Sequence, residues 1–323
     1  MDALLWLTAG LVALIVGAEL VVRYGSLLAA RMGVPPMIIG LTVVSIGTSA
    51  PELAVGIDAM RANAGSLAVG NIAGTNIVNI MLILGLSAAV RPIAFGRRTR
   101  VLDLPGMAIA AVLVLLFSLD GELQFWEGLP LLAGAVVYTL LLGLWTRREN
   151  ADRGDALAAV VGGPEPGSRR SIVWWYALVL IAGIVVIVVG AGWLVEGAVG
   201  LARAVGVSDA FIGLTIVAIG TSAPELFTTV VATLRGDRDI AVGNLIGSSV
   251  YNLTLILGVP VLVANGSGPI DLHLLHIDLP IMVAVSLLCI PLFLSGKRLA
   301  RWEGVLLVVG YGVYLTYLIA VRS

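Results

Sequence analysis

The sequence predicts an all-α polytopic membrane protein, with ten transmembrane helices in two inverted-topology five-helix repeats. Three observations predict it. Of 323 residues, 59% are hydrophobic and only 12% charged, and the mean hydropathy is +1.05, whereas about a quarter of a soluble domain is charged. The block "IGLTVVSIGTSAPEL" at 39–53 returns as "IGLTIVAIGTSAPEL" at 212–226, a shift of 173 with thirteen of fifteen residues identical. Sixteen of the nineteen Lys and Arg residues fall in alternate inter-span segments, the positive-inside pattern of a multispanning chain.

The predicted spans are about 3–22, 32–58, 64–89, 104–119 and 125–146, then 171–198, 206–234, 240–263, 272–295 and 302–321. Most have the ~17–25 apolar residues that a bilayer crossing requires; the fourth is the shortest. The first carries Asp2 where a signal peptide carries positive charge, and no small-residue cleavage site follows, so it reads as a span. Arg23 and Arg31 follow it, which sets the N-terminus outside; the same alternation places the C-terminus outside as well. Trp6, Trp126, Trp145, Trp174, Trp175 and Trp302 lie near span ends, where interfacial aromatics belong.

Span two holds the first "GTSAPEL" (47–53), and span three the stretch "GNIAGTNIVN" (70–79). After span five comes "RRENADRGDALAAVVGGPEPGSRRS" (147–171), with five arginines, Gly-Gly-Pro and Pro-Gly. It reads as a cytoplasmic linker between a first repeat, 1–146, and a second, 172–323. Span seven then repeats "GTSAPEL" (220–226) and span eight reads "GNLIGSSVYN" (243–252). The shift of 173 also carries Asn79 onto Asn252, "LILG" at 82–85 onto 255–258, and Gly33-Val34 onto Gly206-Val207. Five spans per copy force the second copy to enter the membrane upside down, an arrangement that transporters use to place a substrate site at the midplane.

Each motif joins a helix breaker to a charge. Pro51 lacks an N–H and crowds the carbonyl of Gly47. Such breaks are tolerated in a membrane where the freed groups are buried in protein or line a cavity. Thr48 lies one helical turn before Glu52, and Ser49 adds an oxygen at the break; Thr221, Ser222 and Glu225 repeat the pattern beside Gly220 and Pro224. A carboxylate at mid-bilayer costs ~2.5–3.5 kcal/mol or more and marks an ion or proton path. Thr75 and Asn79, like Ser248 and Asn252, are spaced i, i+4 and face one way. Gly70, Gly74, Gly243 and Gly247 follow the small-xxx-small spacing of close helix packing.

Carboxylates, amides, hydroxyls and carbonyls, with no His or Cys in either motif, suit Ca²⁺, Na⁺ or Mg²⁺ and disfavour zinc or copper. Mg²⁺ holds its water more tightly and fits a dehydrated cage less well. Two ionised glutamates balance one Ca²⁺ or two Na⁺, so competition for one charge pair is a physical basis for exchange.

The duplicated "GTSAPEL" (47–53 and 220–226), each copy followed by a Gly-Asn helix, resembles the cation/calcium exchanger superfamily, and most closely its prokaryotic sodium/calcium exchanger branch. The resemblance covers the chain apart from the linker. It implies an electrogenic antiporter in a prokaryotic inner membrane, moving several Na⁺ against one Ca²⁺ by alternating access, with spans one and six sliding as a gating pair. It implies as ligands Ser45, Thr48, Ser49, Glu52, Thr75 and Asn79, with Ala218, Thr221, Ser222, Glu225, Ser248 and Asn252; Ser45 and Ala218 would act through their carbonyls. Some archaeal and K⁺-dependent relatives carry Asp where this chain has Asn252, so the departure weakens the case for K⁺ co-transport. No cofactor, no nucleic acid and no obligatory protein partner is expected; the substrates are Ca²⁺ and Na⁺ and the surroundings are lipid.

Rival readings are H⁺/Ca²⁺ exchange through the same glutamates and, in a different class, a passive cation channel. An intramembrane hydrolase using Ser49 or Ser222 would need a positioned base, and neither motif holds a His. Several residues have plainer readings. Glu19 and Arg23 form an i, i+4 pair, and His273 and His276 are surface residues. Glu196 and Asp209 are solvated span ends, and the lone Cys289 is a small apolar filler.

Overall fold

The computed structural model describes residues 2–158, 169–204, 218–263, 268–296 and 298–322. The described residues are almost entirely helical. In order come α1 (Asp2–Met32), a bent pair α2 (Pro36–Thr48) and α3 (Ala50–Arg61), then α4 (Gly65–Val90), α5 (Thr99–Phe117) and α6 (Phe125–Ala158). The second half has α7 (Arg169–Ala204), the pair α8 (Ala218–Thr221) and α9 (Ala223–Arg235), then α10 (Arg238–Val263), α11 (Leu274–Leu292) and α12 (Arg301–Arg322). Among the described residues eight helices are long and apolar enough to cross a membrane, and α2 with α3 makes a ninth, bent by 44°. The predicted seventh span, 206–234, is described only from Ala218 onward, so its first half, with Asp209, lies outside the described residues.

The helix ends follow local chemistry. Pro36, Pro51 and Pro224 stand in first turns, where a missing N–H costs nothing. Gly236, at φ 82°, closes α9, and Asn63, at φ 55°, stands at the same repeat position after α3. Glycine and asparagine are the residues that enter the left-handed region most readily. Among the described residues five segments widen into π-helical turns: 40–44, 78–84, 99–103, 252–256 and 274–278. Nothing in the apolar periodicity announces them.

Packing divides the molecule into two bodies of contact. One large apolar core joins α4, α5 and α6 to α10, α11 and α12, from Ile72, Ile80 and Leu84 across to Leu253, Leu257 and Met282. A smaller one runs between α1 and α7 through Leu14, Ala18, Val21, Leu180, Ile184 and Ile187, and touches Ile39, Val44 and Ala223. Along that seam Gly10 abuts Gly190 and Leu194, Gly17 abuts Gly183 and Ile187, and Gly197 abuts Ala3 and Leu7. Numbers rise on one helix as they fall on the other, so α1 and α7 are antiparallel, and a Cβ at any of these positions would enter the partner. Two short ribbons tie loops together: Ile93–Ala94 pairs antiparallel with Arg298–Leu299, and Glu122–Leu123 with Gly268–Pro269.

Two expectations need correction. Glu19 does not pair with Arg23; it pairs with Arg235 at the end of α9, with a 2.7 Å contact to Nε, while Arg23 lies 5.9 Å over the Tyr24 ring. A guanidinium from another helix offers two donors, where Arg23 turns instead to its aromatic neighbour. The small-xxx-small spacing works in one half only. A Cβ on Gly243 or Gly247 would meet the backbone of Met37 or Leu41, whereas Gly74 has nothing within 4 Å and Gly70 only the Leu274 side chain. The His273 and His276 side chains are exposed and Cys289 is buried, as expected.

Candidate ion-binding site

The helix breaks are alike in the two halves. Ser49 has φ −84°, ψ 12°, and Ser222 φ −85°, ψ 5°, so each serine stands outside helical geometry and a new helix starts at the next residue. That geometry places Pro51 and Pro224 where a helix tolerates them, and Glu52 and Glu225 in the first turn, beside the partial positive charge of a helix N-terminus. The breaks thus set each carboxylate in the first turn of a helix, where the ladder leaves N–H groups without a helical partner.

The polar residues converge. Ser45, Thr48, Ser49, Glu52, Asn79, Glu225, Ser248 and Asn252 are fully buried, and Thr75 and Ser222 nearly so. Ser49 of the first half donates to Glu225 Oε1 of the second at 3.1 Å. The Ser248 hydroxyl lies 3.4 Å from the same oxygen and 3.5 Å from the Ser45 carbonyl. Thr48 reaches Asn244 Oδ1 at 3.3 Å and the Ser45 carbonyl at 3.4 Å. Ser45 turns its own hydroxyl back to the Gly40 carbonyl at 2.6 Å, leaving its carbonyl toward the cluster. Thr75 faces Glu52 without meeting full hydrogen-bond geometry, and Glu52 and Glu225 are near enough for their charges to interact. Thr221 is half-buried in the turn before the break, and the side chain of Ala218 lies outside the described residues.

The two halves differ in how far they are satisfied. Among the described residues, both oxygens of Glu52, Glu225 Oε2, the Asn79 and Asn252 amides and Ser222 Oγ are buried without a hydrogen-bond partner. Buried polar atoms are nearly always partnered, and a cluster of orphaned oxygens is what a dehydrated hard cation requires. Ser49 serves Glu225, but its repeat mate Ser222 does not serve Glu52. Each site residue named from the sequence whose side chain is described lies on α2 to α4 or α8 to α10.

Sequence reading passed over four buried neighbours: Asn244, Thr228, Thr229 and Ser249. It also missed Asp103, bonded by the Tyr138 hydroxyl at 3.1 Å and 3.5 Å from Arg98, and Asp278, bonded by Tyr314 at 2.8 Å. The repeat carried a signal for both: Asp103 maps near Asp278 and Tyr138 near Tyr314, once the shift is allowed to drift by two or three residues.

This is an integral membrane protein built around a buried oxygen cluster shared between two halves of one chain. A transporter that exchanges cations, not an enzyme, is the class that fold and site define. The family profile described as "Sodium/calcium exchanger protein" matches residues 3–144 and 175–320, and the chain belongs to that family. It is 36% identical over 312 residues to the putative antiporter CaxA of Alkalimonas amylolytica, covering 96% of each chain. It is 36% identical over 318 residues to the inner membrane protein YrbG of Escherichia coli, covering 97% of this chain and 95% of that one. The sodium/calcium exchanger MaX1 of Methanosarcina acetivorans is 32% identical over 346 residues, with 97% of both chains covered. A solved structure of the sodium-calcium exchanger NCX_Mj superposes with a TM-score of 0.82 at 28% identity over 98% of both chains. Membership of this family makes the protein a cation/Ca²⁺ exchanger.

Proposed function

We propose that the protein is a secondary active antiporter exchanging Na⁺ for Ca²⁺ across a prokaryotic inner membrane by alternating access, electrogenically. The observation that carries this reading is the bond from Ser49 of one repeat to Glu225 of the other, inside a cluster where the oxygens of Glu52, Asn79, Asn252 and Ser222 are buried without a partner among the described residues. An ion held there contacts both halves at once, so a relative movement of the halves changes its access. Glu52 and Glu225 supply the charge; Asn79, Asn252, Thr48, Ser49, Thr75, Thr221, Ser222 and Ser248 supply neutral oxygens, with the carbonyls of Ser45 and Ala218.

Ten spans in two inverted repeats, with both termini outside, is the architecture that goes with this function. The reciprocal antiparallel seam of α1 and α7 supports it, since Gly10 and Gly17 map by the repeat onto Gly183 and Gly190, the residues they meet. The ribbons support it too: each joins two loops that the expected topology assigns to one membrane face. In this reading α1 and α7 slide as a unit against the larger core. The name of MaX1 supports Na⁺ as the counter-ion; H⁺ through the same glutamates is the competing reading, and the names of CaxA and YrbG favour neither.

The test is ⁴⁵Ca²⁺ uptake into proteoliposomes under separately imposed outward Na⁺, K⁺ and H⁺ gradients. Uptake driven by Na⁺ alone is expected. Uptake driven only by H⁺ overturns the choice of counter-ion, and uptake with no counter-gradient at all points to a channel.

A further inference from the structure

The geometry points to Asn244 as a positioning residue that fixes the Thr48 hydroxyl as an oxygen donor for the transported ion. The inference rests on the reading that Thr48 is a ligand. A hydroxyl carries one proton and two lone pairs. To turn its lone pairs toward a cation, it must place its proton on an acceptor elsewhere. For Thr48, Asn244 Oδ1 stands 3.3 Å away, on the other repeat. Two other acceptors stand near, the Ser45 carbonyl at 3.4 Å and the Glu225 carboxylate, and both belong to the proposed cage. A proton sent to either would occupy an oxygen that the ion needs; a proton sent to Asn244 leaves them free.

An amide performs this task only if it cannot turn over, and Asn244 is held from the other end. Its NH₂ lies 3.5 Å from the Glu225 carbonyl and 3.4 Å from Thr229 Oγ1, both on α9. A flipped amide would set its oxygen against the Glu225 carbonyl and its NH₂ against the Thr48 hydroxyl. Asn244 is fully buried, so no water competes for either end. Outer-shell groups that orient a ligand in this way tune ion affinity without touching the ion.

The repeat offers an internal contrast. Asn71 occupies the position equivalent to Asn244, but the residue equivalent to Thr229 is Gly56, which has no hydroxyl. Accordingly the Asn71 Nδ2 is buried without a partner among the described residues. Among the described residues, then, the NH₂ anchor that holds Asn244 has no counterpart at Asn71.

The experiment is a mutant cycle on Ca²⁺ KM and maximal rate in Na⁺-loaded proteoliposomes, using Asn244→Leu, Thr48→Val and the double variant, with Thr229→Val as a milder probe. Asn244→Leu is expected to raise KM on the order of tenfold, the scale of one lost hydrogen bond to an ion-site group, with maximal rate within about twofold. In the Thr48→Val background, Asn244→Leu and Thr229→Val should add nothing, because the group they act through is gone. Multiplying KM effects in the double variant overturn the inference, as does a wild-type KM for Asn244→Leu. If Asn244→Leu does not fold, Thr229→Val alone decides: a KM rise that disappears with Thr48→Val supports the coupling, and any other result refutes it. A wild-type KM for Thr48→Val would instead sink the reading of Thr48 as a ligand, and so separates the two failures.

Discussion

Replacing Glu225 by Gln tests the site where its electrostatics are simplest. The amide keeps an Oε1 that accepts from Ser49 and Ser248, now at 3.1 and 3.4 Å, so the bridge between the halves survives. What disappears is one of two negative charges in a fully buried cluster. A bound Ca²⁺ would then retain a net positive charge away from water, and removing one partner from a buried ionic group costs ~3–5 kcal/mol. That corresponds to a loss of roughly 10²- to 10⁴-fold in Ca²⁺ affinity. Purified protein at 100 times its Kd is stabilised by about 2.7 kcal/mol, and a hundredfold weaker variant at the same Ca²⁺ by only about 0.4. The assay is thermal unfolding in detergent with chelator or Ca²⁺, beside ⁴⁵Ca²⁺ uptake. Glu52→Gln should lose the same Ca²⁺-dependent stabilisation but raise the midpoint in chelator, because both Glu52 oxygens are buried and unpartnered, and neutralising them removes a desolvated charge. A Glu225→Gln protein that still gains wild-type stabilisation from Ca²⁺, or transports it normally, refutes the assignment of this residue to the site.

Other expectations follow from charge and packing. If three Na⁺ exchange for one Ca²⁺, each cycle moves one net charge, worth about 2.3 kcal/mol per 100 mV; a K⁺/valinomycin potential should then change uptake, and voltage-indifferent uptake argues for two Na⁺ per Ca²⁺. Gly247→Ala should destabilise by ~1–3 kcal/mol, since its Cβ would lie 2.6 Å from the Leu41 carbonyl oxygen. Gly74→Ala, with nothing within 4 Å, should be neutral or stabilising, and equal melting points for the two variants contradict the packing described. Tyr138→Phe and Tyr314→Phe each remove a hydroxyl from a buried aspartate and should cost ~1–3 kcal/mol apiece; urea-free thermal melts that match wild type would show that these bonds do not contribute to stability.

The helices and the two breaks were legible in the sequence because their causes are local. Apolar length sets a span, and Pro51 and Pro224 set where a helix must restart. The buried glutamates stood out because ionisable groups are costly in apolar runs. Contacts between distant elements were not legible in the same way. Arg235 takes Glu19 from Arg23 across 216 residues of chain, and no periodicity records that. Asn244 appeared only as half of a repeated Gly-Asn pair; its role depends on Thr229, which the first copy replaces with Gly56. The π-helical turns at 78–84 and 252–256, which contain Asn79 and Asn252, leave no mark in composition.

The bridge from Ser49 to Glu225 also bears on how the molecule is made. The two residues are 176 positions apart in sequence. A ribosome adding about 5–20 residues per second delivers Glu52 to the bilayer roughly ten to thirty-five seconds before Glu225 emerges. Throughout that interval the nascent first repeat carries a carboxylate whose cage is half built, with neither Ser248 nor Asn252 yet synthesised. Premature release of the chain before span eight therefore leaves an acidic, proline-broken helix pair without its other wall.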